Sequence, residues 1–217
     1  MRRLLAGARR RETRSVPLHW YGKMGLPRRD ADLHTYGDYV TWSDDARYEL
    51  IDGVAYLMSP APSRVHQEVV GELYGQIRNA LQASPCRAYV APFDVRLPRH
   101  GEPDDAVDTV VQPDVLVVCD PTKLDERGVR GAPDWVIEVL SPATAGHDQT
   151  VKLTAYERAG VREVWFVHPT DQVVTVYEHV GGRFARPTIS EMRGTSSSRA
   201  LPEVSIDWAR VLAYPAP

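Results

Sequence analysis

Apolar residues recur every fourth position from 65 to 81, and Val65, Val69, Leu73, Ile77 and Leu81 therefore form one stripe. That period predicts an amphipathic helix over residues 64–81, with Ser63 as its N-cap. Elsewhere the period is two. In "YELIDGVAYLM", Asp52-Gly53 between two apolar runs predicts a hairpin closed by a type I′ turn. In "YVAPFDVRLP", Phe93, Val95 and Leu97 alternate with Asp94 and Arg96, the pattern of a half-buried strand. The runs "VVQPDVLVVCD" and "WVIEVL" are nearly continuous and read as central strands, with Pro113 at the start or edge of the first. A helix is expected over 148–159, stopped by Gly160, and "VREVWFVHP" is the strand after it. A short helical stretch lies around Tyr36 to Trp42, and a late hairpin turns at Gly181-Gly182. Residues 190–200 read as a flexible loop, followed by a short final element.

The core order is helix, strand, strand, strand, helix, strand, with a hairpin added at each end. That order is α/β with a mixed central sheet. The 217 residues suit one domain, expected over 34–217, behind a basic and flexible extension over 1–33. No apolar run approaches the ~18–20 residues that span a bilayer, so no membrane association is expected. Cys86 and Cys119 have no zinc-ligand spacing, and the plain reading is a pair of reduced thiols in the cytoplasm. The net charge of −3 conceals a +5 segment over residues 1–14 and a −8 remainder. An acidic body argues against capture of nucleic acid over the whole surface, so a polyphosphate substrate would be held locally. The Arg-rich start reads as an upstream extension, a transit peptide or a basic arm.

Glu138 is the anomaly, because a carboxylate in the middle of a buried strand costs several kcal/mol unless something compensates it. Asp114 starts the preceding central strand, and Lys152 lies on the helix that follows, stacked with Asp148 and Tyr156 by four-residue spacing. If the two strands are neighbours, both carboxylates converge. Such a pair suits Mg2+ or Mn2+, with the backbone carbonyl of Val139 as a further ligand, and a lysine beside it could orient or deprotonate an attacking water. These are the parts of a phosphodiester hydrolase. Each residue has a bland reading as well, since a buried Glu near a Lys is often only an ion pair and Pro-Asp is often only a turn.

The set Pro113-Asp114, Glu138-Val139-Leu140 and Lys152 resembles the PD-(D/E)XK nuclease superfamily, in the variant whose lysine has moved from strand to helix. The stretches "YELIDGVAYLMSPAPSRVHQEVVGELYGQI", "QPDVLVV", "APDWVIEVLSPAT" and "DQTVKLTAYERAGVREVWFVHP" resemble the Uma-two family of restriction-endonuclease-like proteins, from about residue 35 to 212. The resemblance implies a restriction-endonuclease-like fold and an endonuclease acting on DNA, with RNA not excluded. It implies Asp114 and Glu138 as metal ligands and Lys152 as the catalytic lysine, although Leu140 stands where the superfamily ordinarily has its lysine. It adds Glu49, His66 and Gln67 as residues framing the same cleft, and a homodimer by analogy with the fold. Without the resemblance, Glu49 reads equally well as an exposed hairpin residue, and His66 reads as a structural hydrogen-bonder. Glu68 and Glu72 read as a solvated face. A non-catalytic binding or assembly module that keeps this fold is the alternative.

Overall fold

The computed structural model describes residues 28–43, 46–58, 61–142 and 144–213; the basic segment over 1–14 lies outside them. Thr35 and Asp38 cap a one-turn helix, α1 (Tyr36–Tyr39), through a reciprocal pair of hydrogen bonds. Strands β1 (Tyr48–Ile51) and β2 (Val54–Leu57) form the first hairpin, with Glu49 opposite Tyr56. Asp52 and Gly53 both take positive φ, 52° and 77°, as a type I′ turn requires. Helix α2 (Arg64–Ala80) starts where Ser63 accepts the His66 N–H, and its Val69, Leu73 and Ile77 are fully buried.

The remaining strands are β3 (Arg87–Val90), β4 (Val95–Arg96), β5 (Val110–Val111), β6 (Val115–Val118), β7 (Leu124–Asp125), β8 (Gly128–Arg130) and β9 (Trp135–Val139). After β9 come α3 (Ala145–His147), a π-helical turn over Asp148–Lys152 and α4 (Leu153–Ala159), which Gly160 ends in the left-handed region. The chain then forms β10 (Glu163–His168), β11 (Val173–Val180), β12 (Arg183–Phe184), β13 (Thr188–Glu191), β14 (Thr195–Ser197), β15 (Ser205–Asp207) and α5 (Trp208–Val211). One sheet has the order β2-β1-β5-β4-β8-β7, and the other β12-β11-β10-β9-β6-β3 with β13 beside β11. The second is mixed: β9 and β10 run parallel across the helical connection, and their other neighbours are antiparallel.

Alternation along β6, β9 and β10 sends successive side chains into two separate cores. Val115, Val117, Trp135, Ile137 and Trp165 pack against α2 and α5. Leu116, Val136, Val164 and Phe166 pack against Ala155 and Tyr156 of α4 and against Val95, Val111 and Val129 of the other sheet. Glu138 shares the parity of Val136, so it points into the second core.

Several expectations are corrected. Cys86 and Cys119 are not free thiols but a disulfide. Arg87 pairs with Val118 across β3 and β6, so one step further along the ladder sets the two cysteines opposite each other. Residues 190–200 are not a loop throughout: β13 completes a ladder with β11, and β14 pairs with β15. The strand expected from Tyr89 to Leu97 is divided at a cis Ala91–Pro92 bond into β3 and β4, which belong to different sheets. Arg96 is consequently buried rather than half exposed, held by Asp104 at 2.5 Å, Asp125 at 2.6 Å and the Tyr36 ring. Contacts begin before residue 34, since Arg28 bridges to Tyr56 and the Arg29 N–H donates to the Ala55 carbonyl. Among the described residues, no helix is long and apolar enough to cross a membrane.

Candidate active site

The two sheets meet where the chain passes from β5 to β6 through Gln112, Pro113 and Asp114. In the β6–β9 ladder Val115 faces Ile137, which sets Asp114 opposite Glu138 at the next step. Asp114 Oδ2 accepts the Val139 N–H at 2.8 Å, fixing its carboxylate against β9. From the other sheet, β1 brings Glu49 to the same place. Its Oε1 accepts the Gln112 N–H at 2.7 Å. The helical connection supplies the cation: Lys152 Nζ lies 2.6 Å from Glu138 Oε1, 3.0 Å from Glu49 Oε1 and 3.8 Å from Asp148 Oδ1. Tyr156, one turn on, donates its hydroxyl to the same Glu138 Oε1 at 2.5 Å. The π-helical turn ends at Lys152 and so sets the face on which Lys152 and Tyr156 look toward β9; such turns recur at functional sites.

Glu138 and Lys152 are each 3% exposed and Glu49 is 2% exposed, so their mutual charges are poorly screened. Burial pushes the Glu138 carboxyl well above its ordinary range, against the pull of Lys152, and Asp148, Asp114 and Glu49 add to the rise. Burial also raises Asp148 to about 6, with Glu49 and Asp114 pushing the same way against Lys152. For Lys152, burial disfavours the ammonium, but Glu138 and then Glu49 outweigh it and hold its pKa well above the ordinary value. In this geometry Lys152 Nζ is placed to donate to Glu138 and to Glu49 at once. Burial lowers the His66 pKa, but the hydrogen bond and charge of Asp114 raise it further than that, to a value above the ordinary one.

Of the residues singled out from sequence, Asp114, Glu138, Lys152 and Glu49 come together, and Glu49 is no exposed hairpin residue. His66 joins them from the first turn of α2, its Nε2 3.3 Å from Asp114 Oδ2. Gln67 does not: it is exposed on that turn. Val139 enters through its N–H on Asp114, with its carbonyl a separate candidate ligand. Glu68 and Glu72 pair with Arg64 and Arg210. One participant escaped the sequence reading. Gln112 caps Glu49 with its backbone, while its side chain bonds Arg47, Asp94 and Tyr39; the signal was a lone amide interrupting "VVQPDVLVV". Tyr156, expected on the Lys152 face to pack or hydrogen-bond nearby, donates its hydroxyl to Glu138.

No three His, Cys, Asp or Glu side chains among the described residues form a ready-made cage for a metal ion. A small hard cation needs less, since Mg2+ typically takes one or two carboxylates and keeps several waters. The donor set fits that requirement. Three carboxyls, Glu49, Glu138 and Asp148, lie within 3.8 Å of one buried lysine, with Asp114 opposite Glu138 on the neighbouring strand, and burial first, then the neighbouring carboxyls, raise Glu138 and Asp148. Asp114 and Glu138, opposite each other on adjacent strands, are the pair placed to share a cation.

A mixed sheet with an Asp and a Glu on neighbouring strands, and a lysine returning from the next helix, is the arrangement expected of a restriction-endonuclease-like protein. The chain belongs to the Uma2 family, described as "Putative restriction endonuclease", whose match covers residues 36–209. A solved structure described as "a putative nuclease belonging to DUF820 from Anabaena variabilis ATCC 29413" shares the fold, with a TM-score of 0.65 at 18% identity over 82% of this chain and 97% of that one. No curated protein matches this chain.

Proposed function

We propose that this protein is an endonuclease that hydrolyses phosphodiester bonds in DNA with Mg2+ or Mn2+ held by Asp114, Glu138 and the Val139 carbonyl. The observation that carries the reading is Lys152 Nζ at 2.6 Å from Glu138 Oε1, a lysine delivered from the helix to a strand whose position 140 is Leu. A divalent cation bound there lowers the pKa of a coordinated water and balances charge building on the phosphoryl oxygens. Lys152, fixed as an ammonium, orients the attacking water and donates to the phosphate. Glu49, held by the Gln112 N–H, keeps the ammonium in place from the opposite side. His66 presses on Asp114 from α2 and restrains that carboxylate. Two subunits acting together would cut both strands of a duplex. The cytoplasmic setting loses its argument from free thiols.

The purified protein is expected to nick or degrade DNA in Mg2+ or Mn2+, and Glu138→Ala to abolish it. Equal inertness of wild type and variant on single-stranded DNA, double-stranded DNA and RNA would overturn the enzymatic reading. One observation favours a second reading, a binding or assembly module: Lys152 and Tyr156 already satisfy Glu138 Oε1, as in a purely structural ion pair. Calorimetric titration with Mn2+ separates the two, because a structural pair shows no carboxylate-dependent binding.

A further inference from the structure

Glu138 Oε1 carries two donors at once, Lys152 Nζ at 2.6 Å and the Tyr156 hydroxyl at 2.5 Å. A carboxylate oxygen has about two lone-pair sites in its plane, so Oε1 is saturated and only Oε2 retains capacity for another partner. Tyr156 is fully buried in the core that also holds Leu116, Val136 and Leu140, so its ring sits in close-packed surroundings.

We infer that Tyr156 is a positioning residue that makes Glu138 a one-oxygen ligand and thereby selects a small octahedral cation over a larger one. This rests on the metal-dependent reading above and goes beyond it, since it concerns which cation the site accepts. The size argument is general. Mg2+ demands near-octahedral geometry with single-oxygen carboxylate contacts at about 2.0–2.1 Å, whereas Ca2+ sits at about 2.3–2.6 Å, takes 6–8 oxygens and readily uses both oxygens of one carboxylate. A Glu138 with one oxygen occupied by two donors cannot offer both. Lys152 alone would leave Oε1 partly available; the phenol closes it. Because Lys152 and Tyr156 lie four residues apart on one helix face, the helix that brings the lysine also brings this second donor.

The test is calorimetric titration of wild type, Glu138→Ala and Tyr156→Phe with Mn2+ and, separately, Ca2+, alongside thermal melting. Tyr156→Phe is expected to weaken Mn2+ by about ten-fold, the usual cost of losing a partner that orients a ligand. Ca2+ affinity is expected to hold or rise, so that the preference for Mn2+ collapses while the melt stays cooperative. Should Tyr156→Phe not fold, 3-fluorotyrosine at position 156 keeps the ring and strengthens the donor; it is expected to sharpen the preference. If wild type binds Mn2+, Glu138→Ala does not, and the altered residue 156 leaves the Mn2+ to Ca2+ ratio unchanged, the inference is overturned and the metal site stands. If wild type shows no carboxylate-dependent Mn2+ binding, the metal site falls and the inference with it.

Discussion

Lys152 touches three carboxylates, and the titration of its neighbours follows from that crowding. Asp148 is the clearest case, its pKa raised to about 6 by burial first and by Glu49 and Asp114 after it. A carboxyl whose folded pKa lies above its unfolded one binds more protons in the folded state across the interval between the two. Its contribution therefore favours folding at low pH and is lost as pH rises from about 4 toward 6. Burial places Glu138 on the same side of that balance. Exposed acids such as Asp38 and Asp120, lowered by hydrogen bonds to Thr35 and Thr122, slope the other way, so a difference between variants isolates the site. In metal-free protein, Asp148→Asn should flatten the fall in stability between pH 4 and 6, measured as urea midpoints at several pH values. Parallel curves for the two proteins would mean that Asp148 titrates normally.

Elements with a strong local signal were legible: the Asp52-Gly53 hairpin, the stripe of α2 and the Gly160 stop each depend on residues near one another in sequence. Features set by partners distant in sequence were not. Strand β13 exists because β11 offers it a ladder, and the exposed, polar text of Thr188–Glu191 carries no trace of that partner. The π-helical turn was likewise invisible, since its i and i+4 positions read like an ordinary helix. The disulfide belongs to the same class. Cys86 and Cys119 are 33 residues apart, and only the β3–β6 register brings them together. Closing a loop of that length stabilises by ~4 kcal/mol in the chain-entropy account. Cys86→Ser, or reductant added to the wild type, should lower the melting temperature by several degrees. An unchanged melt with both thiols open to alkylation in the native protein would rule the bond out.

At the scale of the whole molecule, the site exists because the two sheets meet at the β5–β6 crossing, Gln112, Pro113 and Asp114, against which the β9–β10 connection packs. The pairing of Asp114 with Glu138 was readable in advance, since strand parity and order imply it once the strands are neighbours. The burial of Glu49 was not, because hairpin geometry gives its cross-strand partner and says nothing of the second sheet that covers it. The acidic body also takes on a local meaning. Near the site Glu49, Glu138 and Asp148 share one lysine, with Asp114 opposite Glu138 on the next strand, and a divalent cation would add positive charge there. The most direct measurement is a crystal soaked in Mn2+ and read by anomalous scattering. The ion should appear with Asp114 and Glu138 in its coordination shell and Lys152 beside it. Carboxylates still locked on Lys152, with no anomalous peak between them at saturating Mn2+, would contradict the account.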